Sequence, residues 1–240
     1  MKVRLDRLLV ERGLVDSREK AQALIMAGDV LLNGQRALKA GQAVTADVAI
    51  ELLARPQYVS RGGLKLKGAL DHFSIDAAGL VCLDIGSSTG GFTDALLQAG
   101  AARVHAVDVG MGQLAWSLRT DPRVVVHEGI NARELRLDDI GELASLLTCD
   151  VSFISVTLIL PAVVRLLHPD GRMVILVKPQ FEVGKGQVGK GGIVREPELH
   201  QDACERIRRA VEEFGFTTDI MDSPILGAEG NKEFLLYARH

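Results

Sequence analysis

Apolar residues along this chain fall first at helical spacing, then in short strand-like runs, and after about residue 80 in longer alternating blocks. Leu5, Leu8 and Leu9 share one face of a helix that Gly13 stops. Asp16 or Ser17 caps a second helix, which turns Ala21, Leu24 and Ile25 inward and ends at Gly28. Val30-Leu31-Leu32 reads as a strand, and Asn33-Gly34 as a two-residue hairpin turn, because these two residues tolerate positive φ. A further strand over Val48–Leu53 closes a small α+β domain expected at residues 1–54. Pro56 ends the pairing and stiffens a linker over residues 55–59. A second domain is expected at 60–240. There, apolar runs alternate with amphipathic stretches, the pattern of βαβ units around a mainly parallel sheet. Its seven strands are expected at 81–85, 103–107, 123–127, 149–153, 172–177, 217–221 and 233–238.

The composition, 47% hydrophobic and 25% charged over 240 residues, is that of a chain able to bury a core. The longest apolar run, Val151–Val164, is shorter than the roughly 18 residues of a membrane span and contains Pro161. Charges threaded through Met1–Arg7 do not separate into the basic and apolar blocks of a secretory signal, so a cytoplasmic location is expected. Cys82, Cys149 and Cys204 are odd in number and widely spaced, which points to free thiols and to no metal site. Net charge is −3, yet residues 1–67 hold twelve Lys and Arg against seven Asp and Glu. That segment carries +5, and the remaining 173 residues −8, so the N-terminal part is the one that seeks a polyanion.

Candidate chemistry begins at Val81-Cys-Leu-Asp-Ile-Gly-Ser-Ser-Thr-Gly-Gly-Phe, a strand that enters a glycine-rich turn and then a helix. Its glycines, at 86, 90 and 91, permit close approach of a ligand to backbone but miss the G-x-G-x-x-G spacing that cradles pyrophosphate. A dinucleotide is therefore disfavoured. Asp108 ends the next strand, 22 residues after Gly86, where a carboxylate accepts hydrogen bonds from ribose hydroxyls. An anion at Asp84 suits a ligand bearing amino and sulfonium cations. The expected cofactor-binding set is Asp84, Gly86, Ser87, Ser88, Thr89, Gly90, Gly91, Phe92 and Asp108.

Four further residues stand out: Lys65, Asp150, Lys178 and Glu233, three of them at strand ends of the second domain. Singly, each reads as a helix-surface, capping, solubility or edge-strand charge. Lys178, however, follows Met173-Val-Ile-Leu-Val directly, so its stem is expected to be buried and its charge to need partners. Gly184–Gly192, with five glycines and two lysines, reads either as a loop that closes over phosphate or as a plain connector.

Arg4-Leu-Asp-Arg-Leu-Leu-Val-Glu-Arg-Gly, Ser17-Arg-Glu-Lys-Ala and Gly28-Asp-Val-Leu-Leu-Asn-Gly together resemble the ribosomal S-four-type RNA-binding domain over residues 3–50. The resemblance implies Arg4, Arg7, Arg18 and Lys20 as phosphate contacts, which position a protein on RNA without reading its sequence. A protein-docking module or a fold-only appendage are the other readings of this domain. Ser60-Arg-Gly-Gly-Leu-Lys-Leu, Asp84-Ile-Gly-Ser-Ser-Thr-Gly-Gly-Phe, Val177-Lys-Pro-Gln-Phe-Glu and Gly230-Asn-Lys-Glu-Phe-Leu occur in the order seen in ribose 2′-O-methyltransferases with a Lys-Asp-Lys-Glu tetrad. More narrowly, the chain resembles the TlyA-type family, also called haemolysin A. That resemblance implies a Rossmann-like α/β fold, S-adenosylmethionine as cofactor, ribosomal RNA or ribosomal subunits as partner, and methyl transfer to a cytidine ribose 2′-hydroxyl. Lys65, Asp150, Lys178 and Glu233 carry over as the catalytic tetrad. In such a reaction a lysine amine acts as base only if desolvation or a neighbouring cation lowers its pKa, and otherwise offsets alkoxide charge as a cation. The linker departs from the family, with Arg55-Pro-Gln-Tyr-Val in place of a shorter Arg-x-Trp-Val. A non-catalytic ribosome-binding or assembly factor is the main alternative. A membrane-active haemolysin is a further one, although the chain offers no membrane helix or barrel pattern.

Overall fold

The structure, a computed structural model, describes residues 2–15, 17–53, 57–227 and 230–240. It divides into two compact units, Met1–Pro56 and Gln57–His240. In the first, β1 (Lys2–Arg4) leads into α1 (Leu5–Glu11) and α2 (Arg18–Ala27), followed by β2 (Val30–Leu32), β3 (Gln35–Arg36), β4 (Ala43–Thr45) and β5 (Ile50–Leu52). Leu5, Leu8, Leu9, Ala21, Ile25 and Val30 form its core. Ser17 Oγ caps α2 by accepting from the Lys20 N–H at 3.2 Å, while Asp16 lies outside the described residues. β2 is central between β3 and β5, with Asn33 and Gly34 at positive φ in the hairpin turn. Two features differ from expectation. Pairing of β1 with β4 joins segments of three residues too short to show a period. The strand expected over 48–53 shrinks to Ile50–Leu52 because Val48 closes a turn on the Thr45 carbonyl.

The second unit is a three-layer α/β structure built from α3 (Gly62–His72), β6 (Val81–Ile85), α4 (Gly91–Gln98), β7 (Arg103–Asp108), α5 (Trp116–Arg119), β8 (Val124–Glu128) and α6 (Leu137–Ile140). It continues with β9 (Ala144–Cys149), α7 (Leu160–Val163), β10 (Leu167–Val177), α8 (Pro179–Glu182), α9 (Pro197–Glu212), β11 (Thr217–Asp222) and β12 (Phe234–Arg239). The sheet order is β11-β12-β10-β9-β6-β7-β8, with β12 running against the other six. Alternate residues of β6 and β10 feed two cores. Leu83, Ile85 and Ile175 pack toward Ile207 and Val211 of α9, and Cys82, Val174 and Leu176 toward Leu66 and Leu96 of α3 and α4.

The fourth strand is Ala144–Cys149 rather than 149–153, a correction with a clear cause. The apolar run after Asp150 is spent on turns and on α7, whose Leu160 and Val163 pack beneath the sheet with Val156 and Ile159. The true strand hides its period behind Thr148, a buried hydroxyl that donates to Asp84 at 2.9 Å. The second unit also takes in residues assigned from sequence to the linker. Tyr58 is buried in its core, and the Val59 N–H donates to Asp94 of α4 at 2.8 Å.

Candidate active site

Topology assembles the site at the carboxyl ends of the parallel strands, where loops diverge. Gly86 follows β6, Asp108 ends β7, Asp150 follows β9 and Lys178 follows β10. Because β12 is antiparallel to β10, with Phe234 opposite Val177, its beginning reaches the same end of the sheet and delivers Glu233 beside Lys178's strand. Lys65 arrives from α3, on the helix that also buries Leu66, Ala69 and Leu70.

All four residues line one cavity of about 650 Å³. They form two separate ion pairs. Lys65 Nζ donates to Glu233 Oε2 at 2.5 Å, with the two side chains 11% and 3% exposed. Lys178 Nζ lies 2.5 Å from Asp150 Oδ1, while its directed hydrogen bond goes to Ser152 Oγ at 2.8 Å. Asp150 Oδ1 is thus held by charge alone, a buried oxygen with no hydrogen-bond partner among the described residues. Gln180 Oε1, also at this cavity, is a second such acceptor. Ser152 was not foreseen from sequence, since one hydroxyl in an apolar loop carries no signal. Phe153 beside it is 91% exposed at φ 67°, and its ring meets that of Phe181 with centroids 5.2 Å apart. Such a conformation in a bulky residue is strained and costs on the order of 1–3 kcal/mol.

A second cavity, of about 480 Å³, adjoins the first. Gly86, Ser88, Asp150, Ser152 and Phe153 line both. Asp108 faces the second, where its two oxygens accept from the N–H groups of Ser88 at 2.8 Å and Gly110 at 2.7 Å. A carboxylate has about four acceptor positions, so Asp108 retains capacity for hydroxyl donors. Ser87, Thr89, Gly91 and Phe92 line the first cavity. Two members of the expected cofactor set are not brought to either. Gly90 packs against Leu118 and Leu114. Asp84 is fully buried, its oxygens accepting from Thr93 at 2.6 Å and Thr148 at 2.9 Å. Burial pushes its pKa up to about 6 against the pull of the two hydroxyls. It braces β6, β9 and α4 behind the turn. Gly86 is required for a related reason, since a Cβ there would lie 2.5 Å from the Asp150 carbonyl oxygen at φ 82°. On its other side Gly86 stays open to both cavities.

In the first unit Asp6 organises the basic residues. Its carboxylate is fully covered, yet only by neighbouring side chains: Arg4 binds both oxygens at 3.0 and 2.9 Å, and Arg18 and Gln22 each reach Oδ2 at 3.0 Å. The Arg4 guanidinium holds the Asp6 carboxyl well below the usual carboxylate range. Arg4 and Arg18 remain 54% and 52% exposed and are brought together. Arg7 pairs instead with Glu11 one turn on at 2.7 Å, and Lys20 is exposed on the first turn of α2. Arg12, exposed at the end of α1, ties that helix to the carbonyls of Ala46 and Val48. All three cysteines are free, and no cluster of metal-ligating side chains occurs among the described residues.

A doubly wound sheet with one reversed strand, a glycine-rich turn after its first strand and a carboxylate at the end of the second define a Rossmann-like domain with a ligand site at its strand ends. The model of FtsJ-like methyltransferases matches residues 58–240, and that of the S4 domain matches residues 3–50. The chain is 48% identical to the Mycobacterium tuberculosis protein named 16S/23S rRNA (cytidine-2′-O)-methyltransferase TlyA, over 99% of this chain and 90% of that one. It is 41% identical to Hemolysin A of Brachyspira hyodysenteriae, over 98% and 99% of the two chains. A solved Streptococcus thermophilus structure, described as a candidate haemolysin, superposes with a TM-score of 0.75 at 44% identity, covering 99% of this chain and 88% of the other. This chain belongs to the FtsJ-like methyltransferase family, in the TlyA-type branch that joins an S4 domain to the methyltransferase domain. Among the described residues no helix is long and apolar enough to cross a membrane.

Proposed function

We propose that this enzyme transfers the methyl group of S-adenosylmethionine to a ribose 2′-hydroxyl of ribosomal RNA, with cytidine as the target nucleoside. The observation that carries the reading is the Lys178–Asp150 pair at the seam of two adjoining cavities. The residues present fit the cofactor. Asp108 offers a carboxylate to ribose hydroxyls in the second cavity, and Val107, Ile130 and Ile159 give that cavity apolar walls for a planar base. Asp150, its charge balanced by Lys178, lines both cavities and so stands where a ligand would cross from one to the other.

When bound, S-adenosylmethionine supplies an electrophilic methyl carbon on a good leaving group. The chain's own task is to align the hydroxyl and to manage its proton. Lys178 Nζ meets the hydroxyl: as the ammonium paired with Asp150 it offsets the charge that develops on oxygen, and it takes the hydroxyl proton only after giving up one of its own. Ser152 fixes the direction of that amine and Asp150 balances its charge, while Lys65 with Glu233 lines the same cavity. Buried pairs of this kind hold donors in place before reaction, so alignment costs little at the moment of transfer. Arg4, Arg7, Arg18 and Lys20 supply phosphate contacts from the S4 domain, and the ribosomal subunits, in the cytoplasm, are the substrate-bearing particles.

The test is transfer of labelled methyl from S-adenosylmethionine to purified ribosomal subunits, followed by nucleoside mass spectrometry. The expected product is 2′-O-methylcytidine. A protein that binds the cofactor but methylates neither subunit would sink the reading, and a protein that does not bind it at all would be a non-catalytic ribosome-binding factor.

A further inference from the structure

The glycine-rich segment 184–192 contributes Val188, Gly191 and Gly192 to the wall of the first cavity. Five glycines in nine residues give it large conformational freedom, so it holds a wall only if something outside it supplies the tie. Among the described residues, besides the bond from the Gly189 N–H to the Ile193 carbonyl at 3.0 Å, one side chain supplies such a tie. Asn231 is 3% exposed; its Nδ2 donates to the Gly192 carbonyl at 3.0 Å and its Oδ1 accepts from the Val194 N–H at 3.2 Å. A carboxamide offers a donor and an acceptor in one plane, and here it bridges a C=O and an N–H two residues apart as a neighbouring strand would. Val194 is itself buried, and its carbonyl is bonded to His200 of α9 at 2.9 Å. On the other side the Asn231 carbonyl accepts from the Gly227 N–H at 2.8 Å, and two residues on stands Glu233, paired with Lys65.

We propose that Asn231 is a positioning residue for methyl transfer: it latches the glycine-rich segment against the cavity and ties that wall to the Lys65–Glu233 pair. The inference rests on the reading of this cavity as the place of the reacting ribose. Asn231 touches neither reacting atom in this account. It acts through Gly192 and through the backbone that leads to Glu233, so its loss loosens the wall and the catalytic pair together.

The experiment uses the full chain with Asn231→Ala and Asn231→Asp, the latter of equal size but without the donor to Gly192. Tryptic cleavage after Lys190 is expected to speed up roughly tenfold in both variants, the worth of one to two net hydrogen bonds. S-adenosylmethionine affinity stays within about threefold, while KM for ribosomal subunits rises and kcat falls by roughly tenfold, because the loss acts on alignment of the RNA rather than on the cofactor. Cleavage and both kinetic constants at wild-type values would overturn the proposal, as would faster cleavage with unchanged kinetics. If Asn231→Ala does not fold, Asn231→Asp carries the same comparison. If the wild-type protein methylates no ribosomal RNA, the functional reading fails by itself, and cleavage with cofactor affinity still reports whether Asn231 latches the segment.

Discussion

The two units hold their cations in opposite ways. In the S4 unit one buried anion, Asp6, gathers Arg4 and Arg18 and leaves each guanidinium about half exposed. In the methyltransferase unit Lys65 and Lys178 are only 11% exposed, each beside its own carboxylate. A half-exposed guanidinium acts at a distance, is screened by salt and finds phosphates without choosing among them. A shielded ammonium acts on one atom, with little screening and fixed direction. The same ingredients thus give affinity in one place and reactivity in the other, and substitutions should separate the two.

The largest effect is expected from Lys178→Met, which keeps the apolar stem and removes the amine. Turnover should fall by on the order of a hundredfold or more, with RNA and S-adenosylmethionine affinities within a few fold, if the lysine acts on the transition state. A lysine serving only to neutralise Asp150 would instead change stability or binding and leave turnover intact. Single-turnover methylation beside binding titrations decides between the two, and near-normal methylation would remove the distinction drawn between the units.

Next in size is Asp108→Ala. Loss of a charged acceptor should weaken S-adenosylmethionine by about 1.5 to 3 kcal/mol, or roughly ten- to a hundredfold, with RNA affinity unchanged. Since Asp108 also holds the Ser88 and Gly110 amides, Asp108→Asn serves as a control that keeps an acceptor at the turn. Calorimetric titration giving wild-type affinity for the alanine variant would defeat the assignment of Asp108.

Smaller again is the paired change Arg4→Ala with Arg18→Ala. RNA affinity should drop roughly tenfold at low salt, and the slope of log K against log salt should flatten by about one for each phosphate that is no longer neutralised. Turnover at saturating RNA should hold. An unchanged slope would mean that these arginines serve Asp6 and not the RNA.

The mainly parallel sheet and the loop ends that carry Asp108, Asp150 and Lys178 were legible in the sequence because each of these residues follows an apolar run, whereas the grouping of Lys65 and Glu233 with them came from the family resemblance. Residues whose role depends on the opposite face of an element were not legible. Asp84 shares the parity of Cys82, so it turns toward Thr93 of α4 and away from the cavities. That parity could have been read from the strand. Ser152 and Asn231 could not, since their partners are a lysine 26 residues away and backbone groups 37 and 39 residues away. The burial of Asp6 likewise depends on side chains of another helix, which no spacing within α1 reveals.

The smallest effect, and the one that most sharpens the contrast, is the response of folding to pH. Asp6 and Asp84 are both fully covered, but cations surround the first and neutral hydroxyls the second. For Asp6 the folded pKa lies below the unfolded one, so its contribution is present above about pH 4 and is lost as pH falls through the acid range. For Asp84 the folded value is about 6, above the unfolded one, so its contribution is complete below about pH 4 and is lost as pH rises toward 6. Lowering the pH from 6 to 4 should therefore stabilise the methyltransferase unit through Asp84, and lowering it further should loosen the S4 unit through Asp6. Hydrogen exchange resolved by peptide separates the two, with α1 reporting one unit and β6 the other. Asp84→Asn should flatten the slope between pH 4 and 6 in β6, a change of a few degrees in melting midpoint for a unit of this size, with the buried Glu182, also raised by desolvation, left to give a smaller slope of the same sign, and α1 unaffected. If the slope in β6 persisted undiminished in that variant, the proton responsible would sit elsewhere, and the hydroxyl-lined carboxylate would not be the group that distinguishes the two units.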